Sequence, residues 1–254
     1  MPLSRALIDD MLAQTDHRPW PLPTRPWLMT QTWEGLLFAH WPVPAAALRA
    51  LVPEPLALDA RDGTCYIGLV PFWIADESLR GRVKVPFAGS FIEMNVRTYV
   101  TYKGKPGVYF ISLDASNHVA VMAARFLYAL PYYNAKMSFD IADDGWVTYR
   151  STRRHSGVPI AEFKGRYRAK GPALAFTPGT LERWLTERYA LYTVDDGHVY
   201  EGDIHHTPWT LHEAQAEIET NTTFSCWGLD VSGEPPLLHY APHIDTVIWP
   251  LERV

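Results

Sequence analysis

The segment FIEMNVRTYVTY, residues 91 to 102, alternates polar and apolar side chains with the two-residue period of a β-strand. Glu93, Asn95, Arg97 and Tyr99 fall on one face, and Ile92, Met94, Val96, Thr98 and Val100 fall on the other. A turn over KGKPG at 103–107 leads into VYFISLD, which makes the two segments an antiparallel pair. Such a polar row has two settings. On an open sheet it meets water, whereas in a closed barrel it lines the interior. The setting decides whether Glu93 and Arg97 are surface or site.

The chain has 254 residues, 47% of them hydrophobic, which is enough to bury a full core. A formal net charge of −5 offers no general attraction to nucleic acid or an anionic bilayer. The N-terminal stretch carries Asp9 and Asp10 and lacks a long apolar run, so it reads as neither signal peptide nor membrane span. A cytoplasmic location is expected. Cys65 and Cys226 lie in strand-like surroundings and are expected to be buried thiols rather than a disulfide or metal ligands. The ten tryptophans and thirteen tyrosines exceed what a core of this size needs, and such residues often wall small-molecule pockets.

Residues 3 to 14 read as a short docking helix with Ser4 as N-cap, followed by a proline-rich extended lead-in. Folding proper is expected from residue 28, so the division is 1–27 as lead-in and 28–254 as one domain. WEGLLFAHW reads as a strand, VPAAALRALVP as a helix, and TCYIGLVPFWI as a strand interrupted by Pro71. After a turn over Asp114, Ala115, Ser116 and Asn117, residues 119 to 129 read as a short helix, with strands over 135–139, 146–153 and 161–169. TPGTLERWLTERYALY predicts an amphipathic helix with Thr177 as N-cap and Pro178 in the first turn; residues 181–192 are expected to pack outside the sheet. HVYEGDIHH and LLHYAPHIDTVIWPLERV read as strands.

No G-x-S-x-G, P-loop or dinucleotide fingerprint occurs. His198, His205, His206 and His212 crowd one region, but His205 and His206 would point to opposite faces of a strand, so no metal site is expected. Arg150, Arg153, Arg154, His155, Lys164, Arg166, Arg168 and Lys170 form a basic run that reads as the solvated outer face of a sheet.

AARFLYALPYYNAKMSF, residues 123 to 139, places Arg125 and Lys136 among aromatic residues. Together with FIEMNVRTYV, GVYFISLDASN, LTERYALY and HHTPW, it resembles the YqjF-like family of uncharacterised bacterial proteins from about residue 29 to residue 250. That family resembles in turn the acetoacetate decarboxylase-like superfamily. The resemblance implies an α+β fold, a mostly antiparallel β cone or barrel with peripheral helices around an apolar cavity. Under it, Arg125 matches a family arginine, Phe126 replaces a glutamate, and Tyr132 and Tyr133 replace the paired lysines that form and tune a Schiff base. Acetoacetate decarboxylation is therefore not expected. Strand parity places Tyr132, Asn134 and Lys136 on one face, so Lys136 is the candidate catalytic group, with Glu93, Arg97, Arg125, Tyr132 and Asn134 as binding groups. The function expected is binding of a small apolar or oxo-acid-like molecule in a closed β-cavity, with lyase or hydratase chemistry if it is an enzyme. The alternative is a non-catalytic ligand-sensing or interaction module. The expected partner is a small-molecule ligand, with no cofactor, nucleic acid or membrane; a homo-oligomer is compatible with the same chain.

Overall fold

The computed structural model describes residues 2–81, 83–84, 89–175 and 177–254. Its elements are α1 (Arg5–Ala13), β1 (Met29–Val43), α2 (Ala45–Arg49), β2 (Ala57–Leu58), β3 (Cys65–Leu79), β4 (Val83–Lys84), β5 (Phe91–Tyr102), β6 (Lys105–Ala115), α3 (His118–Tyr128), β7 (Tyr132–Ile141), β8 (Val147–Arg153), β9 (Glu162–Ala173), α4 (Leu181–Thr186), β10 (Ala190–Asp195), β11 (His198–His205), β12 (His212–Asn221), β13 (Leu237–Ile248) and β14 (Glu252–Arg253). The mostly antiparallel α+β architecture expected from the sequence is present, with the helices outside the sheet.

The strands form one sheet that closes twice. Along the path β6–β7–β8–β9–β12–β13–β1–β3–β5, the β5–β6 pairing returns to the start and makes a ring of nine strands. On the other side, β10 and β11 join β6 to β13 and close the ring β11–β10–β6–β5–β3–β1–β13, of seven strands. The two rings share the wall β13–β1–β3–β5–β6, so these strands face an interior on both sides. The nine-stranded ring is filled: Leu37, Ala39, Trp41, Met94, Val96 and Tyr149 belong to one buried cluster. The opposite face of the wall borders an open cavity in the seven-stranded ring. Glu93, Asn95 and Arg97 line that cavity, which settles the polar row of β5 as interior.

Three local expectations are corrected. Pro71 does not interrupt β3; it pairs with Met94 in β5. On its other side the β1–β3 register slips between Glu34 and Ala39, so the missing N–H meets no ladder partner. The Tyr167 hydroxyl enters this gap, 2.8 Å from the Gly35 carbonyl and 3.3 Å from that of Pro71. Gly35 has φ +61°, and a Cβ there would lie 2.7 Å from Phe139 Cζ, so backbone and packing both require glycine. The helix near residue 180 is shorter than predicted: Thr180, not Thr177, is its N-cap, and it ends at Thr186. Gly179, at φ +83°, breaks the run before it, and residues 190–195 are claimed by strand pairing with β11. Asp114 and Ala115 continue β6 instead of starting a turn, while α3, capped by the Asn117 side chain, confirms the helix over 119–129.

The basic run divides. Lys164, Arg166 and Lys170 on β9 face Glu219, Glu217 and Glu213 on β12 across the antiparallel pair, a solvated and largely neutralised outer face. Arg153 belongs elsewhere. It is 2% exposed and forms a two-point ion pair with Asp114, with Nε–Oδ1 2.7 Å and Nη2–Oδ2 3.2 Å. Nη2 also donates to Ser112 Oγ at 2.9 Å, and the guanidinium lies against the rings of Tyr133 and Trp227, at 4.8 and 5.3 Å. This pair ties β8 to β6, where the shared wall ends.

Removing one partner of such a pair leaves an uncompensated buried charge. Arg153→Met is expected to lower unfolding free energy in urea by about 3–5 kcal/mol, and Arg153→Met with Asp114→Leu to recover most of the loss. A single-variant loss below about 1 kcal/mol would show that the pair does not hold the rings together.

Candidate functional site

The cavity in the seven-stranded ring has a volume of about 490 Å³. Its walls are mainly apolar, with Phe38, Val70, Phe72, Leu113 and Trp209 among them. The polar groups collect at two ends, because β5 carries Glu93 and Arg97 four residues apart on one face.

At the acidic end, Glu93 is 4% exposed and accepts a hydrogen bond from the Tyr132 hydroxyl at 2.9 Å. Burial pushes its pKa up to about 8, with the nearby Glu77 adding to the rise and the Tyr132 bond opposing it. Glu77, on β3, also lines the cavity and accepts from Gln31 Nε2, whose own carbonyl accepts from Trp33 Nε1 at 2.8 Å. Burial raises Glu77 to about 7. Near neutral pH this end therefore holds a protonated carboxyl at Glu93 and a second carboxyl at Glu77 near its midpoint.

At the basic end, Arg97 donates from Nη2 to the Leu185 carbonyl at 3.0 Å and lies 5.4 Å from the Phe38 ring centre. Arg97 has no carboxylate partner among the described residues, and its Nε lacks any hydrogen-bond partner there. Arg188 is held by Asp59 at 2.6 Å, by the Trp184 carbonyl at 2.7 Å and by the Trp184 ring at 4.2 Å, yet its Nη2 is unpartnered among the described residues. Beneath them the Tyr99 hydroxyl donates to the Leu185 carbonyl at 2.8 Å, so His40 Nε2 is the donor in the 2.7 Å contact to Tyr99. Burial, followed by the charge of Arg97, holds His40 well below the usual histidine range. His206 lines the cavity as well; its Nδ1–H donates to the Thr207 carbonyl at 2.7 Å, and burial lowers its pKa to about 3. Both imidazoles are neutral, so the positive charge at this end belongs to the arginines.

Of the residues expected from sequence, Glu93, Arg97 and Tyr132 come together on the cavity wall. The other three are placed elsewhere. Lys136 is exposed on β7 beside Thr152 of β8 and is not part of the lining. The reason is where β7 runs: it pairs with β6 only from Tyr132 to Asn134, β6 ends at Ala115, and β7 then leaves the cavity wall to pair with β8. Asn134 meets His118 Nδ1 at 3.1 Å and His155 Nδ1 at 3.3 Å instead of facing the cavity. Arg125 is exposed on α3 and donates to the Tyr132 carbonyl at 2.9 Å, so it supports the Tyr132 backbone from outside. The side chain of Phe126 lies outside the described residues. Among the polar lining residues missed from sequence are Glu77, Asn95, Arg188 and His206. Glu77 lies in the part of β3 beyond Pro71, and its signal was the acidic pair in ADES at 75–78 continuing an apolar strand. Arg188 lies in the stretch that the sequence assigns to helix up to residue 192, six residues beyond the observed end at Thr186.

Because both carboxyls titrate higher in the folded chain than unfolded, the folded state holds more protons and stability falls as pH rises. The loss begins near the unfolded glutamate value of about 4.3 and is complete above about pH 8, at up to about 1.4 kcal/mol per pH unit for each group. Glu93→Gln and Glu77→Gln are expected to flatten this decline in unfolding free energies measured from pH 5 to 8. An unchanged slope in both variants would contradict the cavity electrostatics.

The geometry can be set beside known proteins. A family model described as an uncharacterized conserved protein, DUF2071, matches residues 30–245. Uncharacterized protein YqjF of Bacillus subtilis (strain 168) is 44% identical over 232 residues, covering 91% of this chain and 95% of the relative. Among solved structures, the acetoacetate decarboxylase from Legionella pneumophila subsp. pneumophila str. Philadelphia 1 is similar with a TM-score of 0.61 at 16% identity, covering 98% of this chain and 95% of that one. The enduracididine biosynthesis enzyme MppR complexed with pyruvate has a TM-score of 0.60 at 10% identity, with 92% and 93% covered. These likenesses show an acetoacetate decarboxylase-like fold. The two-ring chain with its bipolar cavity therefore belongs to the DUF2071 family, together with YqjF.

Proposed function

We propose that the protein binds a small carboxylic acid with an apolar body, of the oxo-acid kind, in the seven-stranded ring, with the carboxylate held by Arg97 and Arg188. The observation that carries this reading is Arg97, a guanidinium on an apolar cavity wall with no carboxylate partner among the described residues. A cation in such a place is costly unless an anion joins it, and two guanidinium groups suit a carboxylate. The unpartnered Arg188 Nη2 supplies a second donor. A protein of similar fold holds pyruvate, which agrees in ligand chemistry.

No lysine lines the cavity among the described residues, and Tyr132 occupies the place that the resemblance gives to the Schiff-base lysine. Any reaction therefore proceeds through hydrogen bonding and proton transfer rather than an imine. Glu93, protonated near neutral pH, is the proton donor available to a ligand oxygen, and Glu77 the nearby acceptor, a pairing that suits lyase or hydratase chemistry.

Calorimetric titration with medium-chain oxo acids tests the reading. Arg97→Met is expected to weaken binding by about 10- to 100-fold, while Lys136→Ala leaves it unchanged. Borohydride treatment in the presence of the acid is expected to leave every lysine unmodified when read by mass spectrometry. Unaltered affinity in Arg97→Met, or an adduct that depends on Lys136, would reject the proposal.

A further inference from the structure

The cavity contains a ruler. Residues on one strand advance by about 3.4 Å each, so Glu93, Asn95 and Arg97 stand at intervals of about 7 Å and the outer two about 13 Å apart. The two head groups hydrogen-bond to different elements. Glu93 is turned to Tyr132 on β7, and Arg97 to the Leu185 carbonyl at the end of α4, with Arg188 beyond it against Tyr99 at 4.8 Å. Allowing one hydrogen bond of about 3 Å at each end leaves roughly 7 Å between the two oxygen-bearing groups of a ligand that touches both. The middle station is Asn95, which is 7% exposed and leaves its Oδ1 without a partner among the described residues. An acceptor therefore stands between the two ends, where a ligand carbonyl oxygen that reaches it meets a lone pair rather than a donor.

We infer that the cavity selects carboxylic acids whose second oxygen function lies about four to six carbons from the carboxylate, at the level of Glu93 and Tyr132, over 2-oxo acids, whose carbonyl would stop beside Asn95. This rests on the reading of Arg97 and Arg188 as a carboxylate anchor. The stretch between the two ends is walled by Phe38, Val70 and Phe72, so the intervening carbons meet apolar surface. The cavity volume of about 490 Å³ agrees, since it matches the liquid volume of about sixteen waters and far exceeds a three- or four-carbon acid.

Three eight-carbon probes of nearly equal size distinguish the possibilities: octanoate, 2-oxooctanoate and 5-oxooctanoate, each titrated calorimetrically at pH 7. The expectation is that 5-oxooctanoate binds about tenfold or more tightly than either of the others. Glu93→Met is expected to bring the three within about twofold, and Glu93→Gln, whose amide still donates, to keep the preference. If Glu93→Met fails to fold, the wild-type ranking decides. Equal affinities for all three, or tightest binding of 2-oxooctanoate, would overturn the inference while leaving the carboxylate anchor standing. Failure of all three to bind would overturn the anchor as well.

Discussion

The structure depends on one wall, β13–β1–β3–β5–β6, that the two rings share and whose central strands β1, β3 and β5 are largely buried on both faces. A strand in such a wall has no solvent side, so its two rows of side chains answer to two different interiors. In the nine-stranded ring the row from Met94 and Val96 completes a packed core, and Tyr149 and Tyr167 reach across it to main-chain carbonyls of Glu93, Gly35 and Pro71. In the seven-stranded ring the row from Glu93, Asn95 and Arg97 leaves space. Rigidity on one side thus supports an open chamber on the other, the arrangement a preorganised binding site needs.

The chamber's electrostatics follow from the same wall. Because side chains alternate along β5, an acid and a base four residues apart face the same space without touching. They remain a bipolar set not paired with each other: burial pushes the Glu93 pKa up to about 8, and Arg97 lies beside the Phe38 ring instead of a carboxylate. Had they been adjacent, they would form an ion pair and the chamber would be self-satisfied. The orphaned atoms of Asn95, Arg97 and Arg188 are the cost of this separation, and each is a place where a ligand or water completes the structure.

Much of this was readable from residue order. The alternation in FIEMNVRTYV named the polar row, and the YqjF-like resemblance supplied the closed sheet that put it inside. Tyr132 was found because parity and resemblance agreed on it. Lys136 was misplaced because parity says which face of a strand a side chain takes, not where that strand leaves one sheet neighbour for another; the departure of β7 after Asn134 is a tertiary event. Arg153 looked like its basic neighbours and proved to be fully buried, since its partner Asp114 is distant in sequence and no local pattern joins them. Glu77 escaped because a proline in a strand normally marks an end, and here a register slip and the Tyr167 hydroxyl remove the penalty.

The most direct test is a crystal structure of the protein soaked with a medium-chain oxo acid. The predicted result is ligand density within the seven-stranded ring, its carboxylate within hydrogen-bond distance of both Arg97 and Arg188, and an unchanged packed core in the nine-stranded ring. Density elsewhere, or a carboxylate turned to the Glu77–Glu93 end with the arginines left bare, would contradict the assignment of the two rings and of the two ends.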